Sequence, residues 1–128
     1  MSYYFTKNMN LPFEQAIERV TEALKVEGFG IISTIDVKDA MKKKLDVDFR
    51  NYHILGACNP SFAYQALLAE DKIGAMLPCN VIVQEHEDGR VEVSAVDPIA
   101  SMQAVQNNRL GGIAAEVQAK LKKVIDTL

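Results

Sequence analysis

Between Pro12 and Glu27 apolar side chains return every three to four residues, at Phe13, Ile17, Val20 and Leu24 with Ala16 and Ala23 among them. That spacing predicts an amphipathic helix, and Gly28 follows where a C-cap is expected. Ser2 to Lys7 before it reads as a short strand. Phe29 to Ile35, β-branched and apolar, reads as a second strand. Val37 to Lys44 is short and polar, suited to a helix or an ordered crossing. Asn51 to Ala57 is a third strand, Pro60 to Glu70 a second clear helix, and Gly74 to Pro78 a turn into the next strand. Asp97-Pro98 then opens a helical region that runs to the C-terminus. Its apolar stripe is Leu110, Ile113, Val117, Leu121, Val124 and Leu128, and Asn107-Asn108 divides a short helix from a longer last one.

The segments Cys79 to Glu85 and Arg90 to Val96 form a hairpin whose register follows from parity. A two-residue Asp88-Gly89 loop would set Gln84 opposite Val93 and mix polar with apolar residues on both faces. A three-residue loop, Glu87-Asp88-Gly89 with Gly89 left-handed, pairs Val83 with Val93 and Val81 with Ala95. One face then holds Val81, Val83, Val91, Val93 and Ala95. The other, expected to be solvent-exposed, holds Gln84, His86 and Glu92, with Ile82 the one strongly apolar residue in its middle. The element order predicts an α+β fold in two layers, a mostly antiparallel sheet with helices on one face.

With 128 residues the chain is expected to form a single domain over residues 1–128. Its 48% hydrophobic and 24% charged content is that of an ordinary globular protein. Net charge is −3 and the basic residues are scattered, apart from Lys42-Lys43-Lys44 and the group Lys120, Lys122 and Lys123. A nucleic-acid partner is not expected, because such partners call for a concentrated basic surface. The first thirteen residues lack the pattern of a signal peptide, and no apolar run approaches the roughly 20 residues that span a bilayer. A cytoplasmic protein with no membrane partner is therefore expected. Its two cysteines, 21 residues apart, match no redox or zinc spacing and are expected as free thiols.

Chemistry concentrates in Gly56-Ala57-Cys58-Asn59-Pro60, where an apolar strand runs into a helix. Asn59 suits the N-cap and Pro60 the first helical position, so Cys58 sits just before a helix N-terminus. A thiol in that field can be acidified, and the thiolate is the nucleophile and metal ligand. The same cysteine can instead pack on Ala63 as a small apolar side chain. Cys79 shares the inward face with Val81 and Val83 by period two, so a core thiol is its plain reading; both thiols flanking one pocket, with Asp97 beside them, is the functional one. His53 and Cys58 fall on opposite faces of a regular strand, as do Cys79 and His86, so no zinc site and no other metal site is expected. Gly28-Phe29-Gly30 lacks the rest of a dinucleotide fingerprint. Gly111-Gly112 inside a helix calls for close packing, or failing that a ligand approaching the backbone.

Ile54 to Pro60, then Ala63-Tyr64 and Ala66-Leu67, Ile73-Gly74, Leu77 to Val83 and Val91 to Pro98 form an ordered series along nearly the whole chain. It resembles the family called "domain of unknown function 302", small bacterial and archaeal proteins. Gly111-Gly112 stands where that family usually has helix-forming residues. The resemblance implies a TATA-binding-protein-like β-α-β-β-β-β-α arrangement and a homodimer, and its motif includes both cysteines; it supplies no established reaction and leaves any cofactor open. Together these readings favour a homodimeric small-ligand-binding module with its site at Cys58, Asn59, Tyr64 and Cys79. The alternative is a thiol-dependent redox or transfer enzyme with Cys58 as nucleophile and Cys79 as resolving thiol; a third class is a structural protein whose dimer surface is its function.

Overall fold

The computed structural model describes residues 2–128. Its five strands, β1 (Tyr4–Met9), β2 (Gly30–Asp36), β3 (Tyr52–Cys58), β4 (Cys79–Glu85) and β5 (Val91–Val96), form one sheet in the order β1-β5-β4-β3-β2. Every neighbouring pair is antiparallel. Helices α1 (Phe13–Val26), α2 (Val37–Leu45), α3 (Pro60–Ala69), α4 (Pro98–Ser101) and α5 (Leu110–Asp126) complete the two-layer α+β fold, with a 3₁₀ turn at Ile73–Met76. The first strand lies two residues later than its composition suggested. Pairing decides its limits, because β5 offers partners from Tyr4 opposite Val96 to Met9 opposite Val91.

The β4–β5 hairpin has the register that parity requires, with Val81 opposite Ala95, Val83 opposite Val93 and Gln84 opposite Glu92. The loop closes through His86 N–H to the Arg90 carbonyl at 2.8 Å and Gly89 N–H to the His86 carbonyl at 2.9 Å. Gly89 has φ +87°, a conformation open to glycine without steric penalty. Val81, Val83, Val91, Val93 and Ala95 are all buried, and α1 and α5 cover them through Val20, Leu24, Leu121 and Val124. Alternation of apolar and polar positions along the hairpin thus produces a covered face directly.

The outer face departs from expectation. Gln84 is only 9% exposed, because Arg50, in the segment before β3, donates from Nε to Gln84 Oε1 at 3.0 Å. Arg50 is held in place by lying over the rings of Phe49 (4.5 Å) and Tyr52 (5.4 Å). His86 and Glu92 are half-buried and paired, Nε2 to Oε1 at 3.0 Å, and Thr6 donates to the other Glu92 oxygen at 3.1 Å. The His86 hydrogen bond holds the Glu92 carboxyl below the usual carboxylate range, with Thr6 adding and burial opposing. The polar half of the hairpin is therefore a hydrogen-bonded belt and not a solvated surface.

Helix ends follow the sequence in most places. The residues after α1 form a Schellman motif, Phe29 N–H to Leu24 carbonyl and Gly28 N–H to Lys25 carbonyl. Asp36 caps α2 by accepting from the Asp39 N–H at 3.0 Å. Asp97 caps α4 through the Ile99 N–H and also accepts from Gln118 Nε2, both at 3.0 Å. The helical region after Pro98 stops at Ser101 and resumes at Leu110. In between, Asn107 donates to the Ala69 carbonyl at 2.8 Å and accepts from the Arg109 N–H at 3.0 Å, tying this interruption to the end of α3. Close packing does not explain Gly111-Gly112. Both are exposed, and a Cβ built at either would meet nothing within 4 Å.

Candidate functional site

Three of the four candidate residues converge. Strand β3 ends at Cys58, and its preceding residue Ala57 pairs with Cys79 at the start of β4. Both sulfurs therefore reach the same end of the sheet, where they line a cavity of about 320 Å³. Asn59 stands at its edge, and the other walls include the start of β2, α3, the 3₁₀ turn with Leu77-Pro78 after it, α4 and the first half of α5. Cys58 is half-buried and Cys79 buried, both free thiols. Tyr64 is not part of this cavity: it projects from the outer side of α3 and is 64% exposed. Position explains the difference, since Phe62, Ala63, Ala66 and Leu67 line the cavity and a helix turns Tyr64 away from it.

Asn59 occupies the N-cap position of α3, but its side chain does not cap. Its Nδ2 instead donates to the carbonyl of Glu27 at 3.4 Å, linking the cavity edge to the residue that ends α1. Gly56 has a comparable role. A Cβ there would run into Ser33 Oγ and the Pro78 ring, so only glycine lets β2 and Pro78 close over β3 beside the thiols. The sequence marked this glycine as part of a motif; its reason is close approach across the sheet.

Burial pushes the Cys79 thiol up to about 11, and the nearby Cys58 adds to the rise. Cys79 is a neutral, apolar wall group at neutral pH. Asp97 holds to the α4 N-terminus and to Gln118, with its Oδ1 taken by both partners. His53 lies on the covered face with its ring edge-on to Phe13 at 5.1 Å, and its Nε2 is 3.5 Å from Asp36 Oδ2. Among the described residues no group of three or more His, Cys, Asp or Glu side chains is placed to hold a metal ion. None of their helices is long and apolar enough to cross a membrane.

Sequence reasoning missed the wall opposite the thiols. Met102, Leu110, Ile113, Ala114 and Val117 come from the last quarter of the chain. The apolar stripe of α5 carried the signal, but it also fits simple core packing. Two solvent-exposed residues, Ile32 (65%) and Leu67 (46%), line the cavity as well and mark where it opens. Ile32 stands there because β2 has an irregular register between Ile31 and Ser33, which breaks the alternation that would have fixed its side.

The sequence profile described as "Domain of unknown function DUF302" matches residues 5–128. The chain belongs to the DUF302 family. The crystal structure of an uncharacterised conserved DUF302 protein from Bacillus stearothermophilus is similar to it, with 28% sequence identity, 98% of each chain covered and a TM-score of 0.90. No curated protein matches the chain. The DUF302 family thus accounts for the fold from β1 to the end of α5, and the chemistry has to be argued from the site itself.

Proposed function

We propose that this DUF302 chain is a homodimeric module that binds a small ligand in the cavity beside Cys58, Asn59 and Cys79. The cavity carries the reading. Its volume of about 320 Å³ lies at the lower end of the roughly 300–1,000 Å³ of small-molecule sites, which are concave, mostly apolar and largely pre-formed. The dimer is supported by the outer face of the sheet, where Ile82 pairs with Ile54 in the middle strands and lines an open depression of about 450 Å³ with Tyr52 and Gln84. An apolar centre with a polar rim suits a contact with a second copy. Thiol-dependent redox or transfer chemistry with Cys58 as nucleophile is the weaker reading, because a resolving thiol with a pKa of about 11 supplies little thiolate at neutral pH.

Native mass spectrometry of the protein purified from its own host tests both parts at once. The expected spectrum shows a dimer carrying one bound small molecule per chain. A monomer at micromolar concentration removes the dimer, and a chain that carries nothing and takes up no added small molecule removes the ligand site.

A further inference from the structure

The walls of the cavity narrow what it can hold, on the reading of it as the ligand site. Among the described residues no charged side chain lines it. Its polar side-chain groups are the Asn59 amide and the two thiols, and the amide already donates to Glu27. Pro78 and Pro98 face it and have no backbone N–H to offer. A charge brought inside would lose its hydration with no counter-charge in reach. Hydrocarbon loses nothing by entering and removes apolar walls from water. The opening has the same character. Ile32 and Leu67 are exposed at it, and α3 (Pro60–Ala69) carries no charged residue at all.

Size sets the second limit. An apolar cavity of about 150 Å³ accommodates benzene, and 320 Å³ is about twice that. We infer that the ligand is a neutral, hydrocarbon-bodied molecule of roughly ten to twelve carbon atoms in the cavity, two rings or a chain of that length. Besides the two thiols, the Asn59 side-chain oxygen offers it a polar contact: that oxygen accepts no hydrogen bond among the described residues and can accept from a hydroxyl or amine on the ligand.

Two fluorescent probes built on the same two-ring, ten-carbon system separate body from charge: neutral 2-naphthol and anionic naphthalene-2-sulfonate. Each is titrated into the full chain and into Ala66→Leu and Ala114→Leu. These alanines line the cavity from α3 and α5 and are 3% and 6% exposed, so an isobutyl in place of a methyl takes up part of the space a ligand needs; two plugs from different helices guard against one failing to fold, and thermal melts identify a folded variant. The neutral probe is expected to bind at one site per chain, to weaken at least about tenfold in the folded plug variants, and to bind about tenfold or more tighter than the sulfonate. If the sulfonate binds as tightly and is lost in the plug variants, the cavity takes a ligand and the neutral class is wrong. If neither probe binds, or plugging changes nothing, the ligand site falls and this inference with it.

Discussion

Helices α1 and α3 show how differently two apolar sequences can be buried. In α1, charged residues alternate with apolar ones, and Phe13, Ala16, Val20 and Leu24 all lie in the core. α3 is the more apolar of the two and has no charge, yet only Ala66 is buried, while Tyr64 and Leu68 are 64% and 66% exposed. The reason is arrangement. The apolar residues of α1 fall on one stripe, which seats against the sheet. Those of α3 surround the helix, so no orientation buries them all, and small Ala63 and Ala66 face inward. With Ala63 and Ala66 inward between Phe62 and Leu67, and Tyr64 and Leu68 outward, the middle of α3 leaves space beneath it, and that space is part of the cavity.

The largest test of this contrast compares two leucines. Leu24→Ala on α1, at a fully buried position, is expected to destabilise by about 2–5 kcal/mol through lost transfer energy and the cavity left behind. Leu68→Ala on α3 is expected to stay within about 0.5 kcal/mol, as exposed substitutions do. Urea unfolding of both variants checks this. A comparable loss at Leu68 would mean that α3 is covered in solution, for instance by the second subunit.

Gly56→Ala, beneath the cavity edge, gives the next effect. A Cβ must displace Ser33 and the rigid Pro78 ring, and overpacking of this kind typically destabilises by about 1–3 kcal/mol. A variant as stable as wild type would show that Pro78 moves freely and that the wall beside the thiols is soft.

How much of this was readable from the sequence differs between the two regions for the same reason. The stripe of α1 and the alternation of the β4–β5 hairpin each satisfy one periodicity, so elements, buried faces and register followed from residue spacing alone. Cys58, Asn59 and Cys79 were placed together because strand ends and caps are local signals. Burial of Gln84 is not legible from pattern, because its cover, Arg50, comes from a different segment and depends on two aromatic rings. Tyr64 lies away from this cavity without a sequence signal for it, because an all-apolar helix has no stripe from which to read its inward side. The α5 wall of the cavity depends on how two helices pack, which pattern alone does not give.

Cys79 provides a test that is silent at neutral pH. Its pKa rises from an ordinary 9.0 to about 11 in the fold, mainly through burial. Well below pH 9 the thiol is protonated in both folded and unfolded chains and contributes no slope. Between about 9 and 11 the unfolded chain releases this proton while the folded one keeps it, so stability falls as pH rises. Cys79→Ala is expected to unfold with a shallower alkaline loss than wild type, measured as urea midpoints from pH 8 to 11. Equal slopes would show that this wall of the cavity is wetter than its burial implies. Alkylation at pH 8 gives the companion reading, with Cys58 modified before Cys79.

The smallest expected effect has the opposite sign. Gly111 begins the cavity-lining half of α5, is exposed, and would point a Cβ into open space. A glycine in a helix interior is about 0.5–1 kcal/mol less favourable than alanine, and in this first turn the difference is at the low end. Gly111→Ala is therefore expected to raise stability by a few tenths of a kcal/mol, seen as a small increase in urea midpoint at unchanged slope. Addition of 2-naphthol sharpens the result, because its binding should be the same in Gly111→Ala as in wild type if the ligand touches only side chains. A stabilised variant that has lost the probe would place the ligand against the α5 backbone, and the pair would then be glycine for closeness to the ligand and not for want of selection against it. A destabilised variant would point to a second subunit on this surface, meeting α5 where the chain by itself leaves room.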